Sequence, residues 1–289
     1  MNAISKIREI KDFLNNHGIE SAGKEAEMLI KHCAGIDTAD IYRDNPILTL
    51  HCSAFAERLA RRRASREPLA YIMGDIEFMN MRLSVGPGVL IPRPETELMV
   101  EQAIETIGKL KREQGNLRFL DMCTGSGCVA LAIARAYPAS AIHAVDISDN
   151  AISFAKKNAV INRITNTTFF SGDLFEAVKA GDPGARYDLI ISNPPYIKSG
   201  DLDALQTEIR DWEPMNAVDG GKDGLDFYRK LIPDARDYLK TDGLLILEIG
   251  SDSDKITEML EDSGFSQIMV SPDYSGNERV VQATWKNLS

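Results

Sequence analysis

The chain has 289 residues, 44% hydrophobic and 26% charged, with a formal net charge of -10 from 33 basic and 43 acidic side chains. That composition describes a soluble globular protein with a main domain and one appendage, and no run approaches the roughly 18 apolar residues of a membrane span. The acidity counts against a nucleic-acid partner, whose phosphates need a basic face.

The start, residues 1–11, is amphipathic and holds Glu9, which suits a helix better than a signal peptide, so a cytoplasmic protein is expected. Cys33, Cys52, Cys123 and Cys128 have no CxxC spacing and read as reduced thiols. His32-Cys33 and His51-Cys52 lack the spacing of a zinc site and read as buried helix residues and loop residues; no metal is expected.

Helical periodicity fills the N-terminal segment. Ile4, Ile7, Ile10 and Leu14 form one stripe that His17-Gly18 ends, and Ala22, Ala26, Leu29, Ile30 and Cys33 form a second behind a cap at Ser21. A third helix is expected after Ser53 with Phe55 and Leu59 inward, completing a small N-terminal helical domain over 1–75. Arg58, Arg61, Arg62, Arg63 and Arg66 crowd its end. They suit an acidic partner or RNA, but a solvated face whose arginine stems cover apolar surface is the preferred reading.

Over 76–92 the pattern shortens to extended pieces around Gly86-Pro87-Gly88, the mark of a hairpin linker. Pro92, Pro94, Glu95, Thr96 and Glu97 then open a helix running through Leu98, Val100, Ala103, Ile104 and Ile107, with proline and acids at the positive end of its dipole. Apolar strands are expected at 119–122, 142–146, 168–171, 189–192 and 244–249, and helices at 129–137, 150–160, 225–239 and 254–262. Such alternation builds a mostly parallel sheet with helices on both faces, because parallel neighbours require crossovers. Segments 267–270 and 279–284 have no helix between them and predict an antiparallel last strand. The expected fold is α/β, with the sheet domain over 93–289.

Chemistry gathers at the strand ends. Asp121 leads into Cys123-Thr124-Gly125-Ser126-Gly127, where glycines let a ligand approach the backbone. Such turns also hold NAD, but the third glycine of the dinucleotide fingerprint is missing. Asp146 ends the second strand, where an acceptor-only carboxylate can take both hydroxyls of a ribose. Asp173 follows the third and can accept from an adenine amino group, with Leu174 or Phe175 against the ring. Any one acid is equally a helix cap. The three in order along a carboxyl edge point to an adenosine-bearing ligand.

The fourth strand ends in Asn193-Pro194-Pro195-Tyr196, a tetrapeptide that chance would place in on the order of one in a thousand such chains. An amide or aniline-like nitrogen is a poor nucleophile because its lone pair is delocalised. The Asn193 side-chain oxygen and the Pro194 carbonyl can accept its two NH protons, and charge developing on it is then stabilised. Two prolines keep the turn stiff, and Tyr196 offers a flat face for stacking. The implied reaction is methylation of a planar NH2 nitrogen without metal, covalent nucleophile or histidine base.

The tetrapeptide resembles the signature of amino-methyltransferases acting on adenine N6, cytosine N4 and glutamine N5. The chain is more closely similar to the release factor glutamine methyltransferases, the PrmC/HemK family, at 66–72, at 91–97, in the glycine turn, at 193–197, at Glu213-Pro214 and at 219–225. It departs from the family in Cys123, often glycine there, and Leu174, often aromatic. The resemblance implies a Rossmann-like class I methyltransferase fold, S-adenosyl-L-methionine as cofactor and S-adenosyl-L-homocysteine as product. Peptide chain release factors are the implied partner, gripped partly by the helical domain and methylated on the glutamine of a Gly-Gly-Gln loop; no membrane or nucleic-acid partner is expected, and a monomer is.

Expected cofactor residues are Asp121, Cys123, Thr124, Gly125, Ser126, Gly127, Asp146, Asp173, Leu174 and Asn193. Asn193, Pro194, Pro195 and Tyr196 are expected to hold the substrate, with Asn193, Pro194 and Tyr196 catalytic. The alternative class is an N6-adenine nucleic-acid methyltransferase, which shares the tetrapeptide, and a third is a non-catalytic binder of an adenosine ligand.

Overall fold

The computed structural model describes residues 1–109 and 117–286. The chain divides into two compact units, Met1–Asp75 with Gln206–Trp212, and Ile76–Leu205 with Glu213–Ser289. No sequence signal had pointed to the return of Gln206–Trp212 to the first unit.

That unit holds α1 (Ala3–Asn16), α2 (Ala22–Ala34), α3 (Thr38–Asp44), α4 (Leu50–Ala64) and α5 (Leu69–Met73). The expected stripes close its core, with Ile10, Leu14, Ala26, Leu29, Ile30 and Leu59 buried together. Burying each such side chain stabilises by roughly 1.5–3 kcal/mol. The third predicted helix starts earlier than Ser53: Thr49 accepts from the Cys52 amide at 3.1 Å and caps α4. Leu50 in its first turn is exposed, so the inward stripe gave no sign of that start. His51 and Cys52 therefore lie in α4 rather than in a loop, and His32 on α2 is exposed rather than buried.

The arginine cluster is largely consumed inside the unit. Arg63 is buried between Glu25 at 2.6 Å and Glu208 at 2.9 Å, Arg66 reaches the other oxygen of Glu208 at 2.9 Å, and Arg62 pairs with Glu67. Arg58 lies over the Phe55 ring, 4.9 Å from its centroid. A buried charge of this kind needs its partner, and losing one member costs about 3–5 kcal/mol.

In the second unit, β1 (Asp75–Phe78) and β2 (Met81–Ser84) form a hairpin whose turn, Met79-Asn80, has φ of 49° and 58°. Positive φ at both central positions matches the twist of paired strands. The turn thus precedes Gly86-Pro87-Gly88, which makes a separate turn closed by the Val89 amide on the Gly86 carbonyl at 3.3 Å. Then come α6 (Pro94–Lys109), β3 (Arg118–Met122), α7 (Cys128–Ala136), β4 (Ala141–Asp146), α8 (Asp149–Ile161), β5 (Thr167–Ser171), α9 (Leu174–Gly181), β6 (Tyr187–Ser192), α10 (Asp226–Tyr238), β7 (Leu239–Glu248), α11 (Ser253–Asp262), β8 (Phe265–Pro272) and β9 (Glu278–Trp285). The short α9 was not expected; its inward face is only Phe175, Ala177 and Val178.

The sheet order is β5-β4-β3-β6-β7-β9-β8, parallel from β5 to β7, with β9 antiparallel to both β7 and β8. Strand alternation sorts the core onto two faces. Phe119, Leu189, Ile191, Leu244 and Ile246 pack with α6, α7 and α8. Leu120, Ile190, Leu245 and Leu247 pack with α9, α10 and α11.

Two local devices hold the β3 turn against this frame. Asn158 of α8, fully buried, donates to the carbonyls of Ser84 at 3.0 Å and Ser126 at 2.9 Å and accepts from the Ser84 amide at 2.6 Å. Gly127, at φ 82°, sits so close to α8 that a Cβ would lie 3.0 Å from that of Ala155 and 3.2 Å from its Cα. Gly127→Ala is expected to cost about 1–3 kcal/mol through combined backbone strain and overpacking. Urea titration measures this; a midpoint equal to the parent's would show that α8 yields without cost.

Candidate active site

A cavity of about 270 Å³ opens at the carboxyl ends of β3, β4, β5 and β6. Its walls include Cys123 to Ser126, Asp146, Asp173, Leu174, Asn193 and Pro195. The expected cofactor turn, both outer acids and the head of the 193–196 turn therefore share one space.

Asp146 uses one lone pair of each carboxylate oxygen on its own surroundings, accepting from the Gly125 amide at 2.8 Å and the Ser148 amide at 2.9 Å. A carboxylate offers about four acceptor sites, so further sites remain for a diol. Burial pushes its carboxyl above the usual range, opposed by those backbone donors. Asp173 occupies the N-cap position of α9, yet its side chain makes no capping bond. A capping role is thus not what the carboxylate is doing in this geometry.

The turn itself fits a ligand laid against it. Gly125 has φ 55°, and a Cβ there would meet nothing within 4 Å, so its open side is free for an approaching group. The Ser126 hydroxyl is buried in the wall with no hydrogen-bond partner. A buried hydroxyl left unpaired costs roughly 1–3 kcal/mol, which a polar ligand atom would relieve. Cys123 stands at φ 62°, a conformation natural to glycine.

Four expected residues do not wall this cavity: Asp121, Gly127, Pro194 and Tyr196. Asp121, expected to touch the cofactor, supports the turn through bonds within its own chain. Its carboxylate lies beneath the turn, accepting from the Thr124 hydroxyl at 2.5 Å and the Ala130 amide at 3.0 Å. Gly127 is spent on packing against α8. Tyr196, expected to offer a stacking face, donates its hydroxyl to Glu248 at 3.2 Å, with the Arg279 guanidinium 6.0 Å from its ring centroid.

Residues unmarked by the sequence reading complete the site. Thr96, at the start of α6, accepts from Asn193 Nδ2 at 3.0 Å and donates to Glu248 Oε2 at 2.7 Å. Glu248, at the end of β7, is 1% exposed. Burial pushes its carboxyl upward, while hydrogen bonds from Thr96 and Tyr196 and the charge of Arg279 oppose the shift. Glu213 accepts from the Ile91 amide at 2.9 Å and pairs with Arg93, fixing the segment that brings Val89, Leu90 and Arg93 to the cavity. Thr96 and Glu213 fall in stretches that carried the family resemblance, but no local pattern marked their partners.

Comparison with known proteins agrees with this geometry. The methyltransferase small domain family matches residues 101–210, and the PrmC N-terminal domain matches residues 6–74. A release factor glutamine methyltransferase of Thermodesulfovibrio yellowstonii is 42% identical over 282 residues, spanning 97% of both chains. One from Geobacter sulfurreducens is 40% identical over 282 residues, spanning 95% of both. Among solved structures, the Thermus thermophilus 16S rRNA N2 G1207 methyltransferase in complex with AdoMet and guanosine overlays with a TM-score of 0.52 at 18% identity, over 73% of this chain and 50% of that one. A ribosomal protein L11 methylase of Lactobacillus delbrueckii overlays with a TM-score of 0.50 at 22% identity, over 70% of this chain and 84% of that one. These overlays show a methyltransferase fold.

The buried Asp121 yields a pH signature. Burial above all, with the nearby Asp146, pushes its carboxyl up to about 7 from 3.8. The folded state therefore stays protonated while the unfolded chain ionises, so this group's contribution to stability is full below about pH 4 and is lost as pH rises toward 7. Asp121→Asn, which cannot ionise, is expected to gain stability relative to the parent across that window, by on the order of a few kcal/mol. Thermal melts of both proteins from pH 4 to 8 test this; a constant difference in melting temperature contradicts the burial account.

Proposed function

We propose that this chain, which belongs to the release factor glutamine methyltransferase family, transfers a methyl group from S-adenosyl-L-methionine to the side-chain amide nitrogen of the glutamine in the Gly-Gly-Gln loop of peptide chain release factors. One observation carries the reading: Asn193 stands in the same cavity wall as the glycine turn and Asp146. A group that can hold an NH2 thus faces the space that suits an adenosine ligand.

S-adenosyl-L-methionine, when bound, supplies a methyl group activated by its sulfonium. The chain's own residues do the rest. Asp146 accepts from the ribose hydroxyls, Asp173 from the adenine amino group, and Ser126 gives its free hydroxyl to a polar atom of the cofactor, with Leu174 against the ring. Asn193 Oδ1 accepts one NH proton of the glutamine amide, and the second falls to the Pro194 carbonyl. Held so, the nitrogen keeps its lone pair toward the methyl, and positive charge growing on it meets preorganised acceptors. Positioning of this quality lowers a barrier by roughly 7–11 kcal/mol, and the excess proton leaves to solvent after transfer.

The nucleic-acid alternative finds little support. The formal net charge is -10, and Arg62, Arg63 and Arg66 are paired with carboxylates of their own unit. No described helix is long and apolar enough to cross a membrane, and the partner we infer is a protein.

Tritiated methyl from the cofactor is expected to enter a release factor and to vanish when the loop glutamine is changed to alanine. Persistent label at that loop in the altered protein, or label in bare DNA or RNA instead, contradicts the reading. Asn193→Ala is expected to cut the rate at least about a hundredfold, on the order of 3 kcal/mol of transition-state stabilisation. Turnover at the parent rate in that variant removes Asn193 from the mechanism.

A further inference from the structure

An asparagine amide is nearly symmetric in shape and opposite in polarity at its two ends. Asn193 serves as an acceptor only if its oxygen, and not its NH2 group, faces the cavity. Nothing within the tetrapeptide decides between the two.

The decision comes from outside it. Asn193 Nδ2 lies 3.0 Å from Thr96 Oγ1, which lies 2.7 Å from Glu248 Oε2, and the other oxygen of Glu248 accepts from the Tyr196 hydroxyl at 3.2 Å. A threonine hydroxyl has one proton to give. Each Glu248 oxygen accepts from a hydroxyl, one of Thr96 and one of Tyr196, and these bonds with the Arg279 charge favour the anion against burial, which pushes the carboxyl up. The anion has no proton to return, so Thr96 gives its proton to Glu248. The Thr96 oxygen is then left as an acceptor, which only the NH2 end of Asn193 can satisfy. The carbonyl end is turned the other way, and Asn193 and Thr96 both line the cavity. Were the amide reversed, two oxygens would face each other without a proton between them.

We propose that Thr96 and Glu248 are positioning residues that fix the polarity of the Asn193 amide, so that the site meets a substrate NH2 group with an acceptor. The chain of bonds draws on the start of α6, the end of β6 and the end of β7, and so ties that polarity to the docking of α6 on the sheet. The proposal rests on the glutamine-amide reading above. It assigns to Tyr196 a part in holding Glu248 in addition to any contact with substrate.

Thr96→Val keeps the shape and removes the hydroxyl, whereas Thr96→Ser keeps the hydroxyl. In the parent, the Asn193 side-chain NH2 group should give a distinct pair of proton signals in 15N-resolved NMR, one slowed in exchange by its bond to Thr96. That feature is expected to disappear in Thr96→Val and to persist in Thr96→Ser. With release factor as substrate, Thr96→Val should lower kcat by about tenfold to a hundredfold while the Kd for S-adenosyl-L-methionine, measured by calorimetry, stays within about twofold of the parent's, and Thr96→Ser should recover most of that loss. Glu248→Gln can donate to Thr96 and so permit the reversed amide; it should show the same kcat loss wherever its melt confirms a folded protein. Thr96→Val with the parent's kcat, or with the parent's Asn193 signals, overturns the proposal. Failure of the parent itself to label a release factor strikes the underlying reading instead, and the NMR comparison still decides whether Thr96 orients Asn193.

Discussion

The site exists because β3 pairs in parallel with β4 on one side and β6 on the other. Parallel neighbours end at the same edge, and the chain leaves β3 first to one side and later to the other. A gap between diverging connections therefore opens at the carboxyl end of β3. The glycine turn, Asp146 and Asn193 all issue into that gap. Residues separated by dozens of positions in sequence meet there through backbone pairing alone, before any side chain has been chosen.

Four acids mark the edge, and burial sorts them by task. Asp121 and Glu248 are 1% exposed and are satisfied by neighbours of their own chain, Thr124 and Ala130 in one case, Thr96 and Tyr196 in the other. Asp146 is half-buried and only partly satisfied, and Asp173 is exposed and free of its capping bond. Keeping a carboxylate in the interior is costly unless it is fully hydrogen-bonded. The two inner acids organise turns, and the two outer ones retain acceptor capacity where a ligand can reach it.

This division explains which parts of the site were legible in sequence. The alternation of strand and helix, the glycine turn and the strand-end acids are local patterns, and their elements lie where expected within a few residues. The 193–196 turn was legible because its chemistry is contained in four neighbours. Thr96 and Glu248 were not, since their bond joins positions 152 apart. The same holds for Glu213, which reaches Ile91 across 122 positions. The hydrogen-bond partners of Asp121 and Tyr196 were not legible for a related reason: residue type suggests what a side chain can do, whereas its nearest polar neighbour is set by the tertiary fold. The return of Gln206–Trp212 to the helical unit had no local mark because its anchor, Glu208, is an ordinary acid until Arg63 and Arg66 are placed beside it.

The segment from Gly88 to Arg93 belongs to no strand or helix, yet it supplies a wall of the cavity. A loop in that position needs fixed points, because each free residue costs roughly 1–2 kcal/mol of conformational entropy when ordered. The points are polar and long-range: Asn150 donates to the Pro87 carbonyl at 3.0 Å, Asn158 grips Ser84 from below, and Glu213 holds the Ile91 amide while pairing with Arg93. Proline 92 and proline 94 bracket Arg93 and restrict what the backbone can do between those anchors. The same short stretch continues into Thr96, whose hydroxyl governs Asn193. A displacement of this segment would therefore shift a cavity wall and the orientation of the acceptor together, because the wall and the start of α6 are one continuous piece of chain.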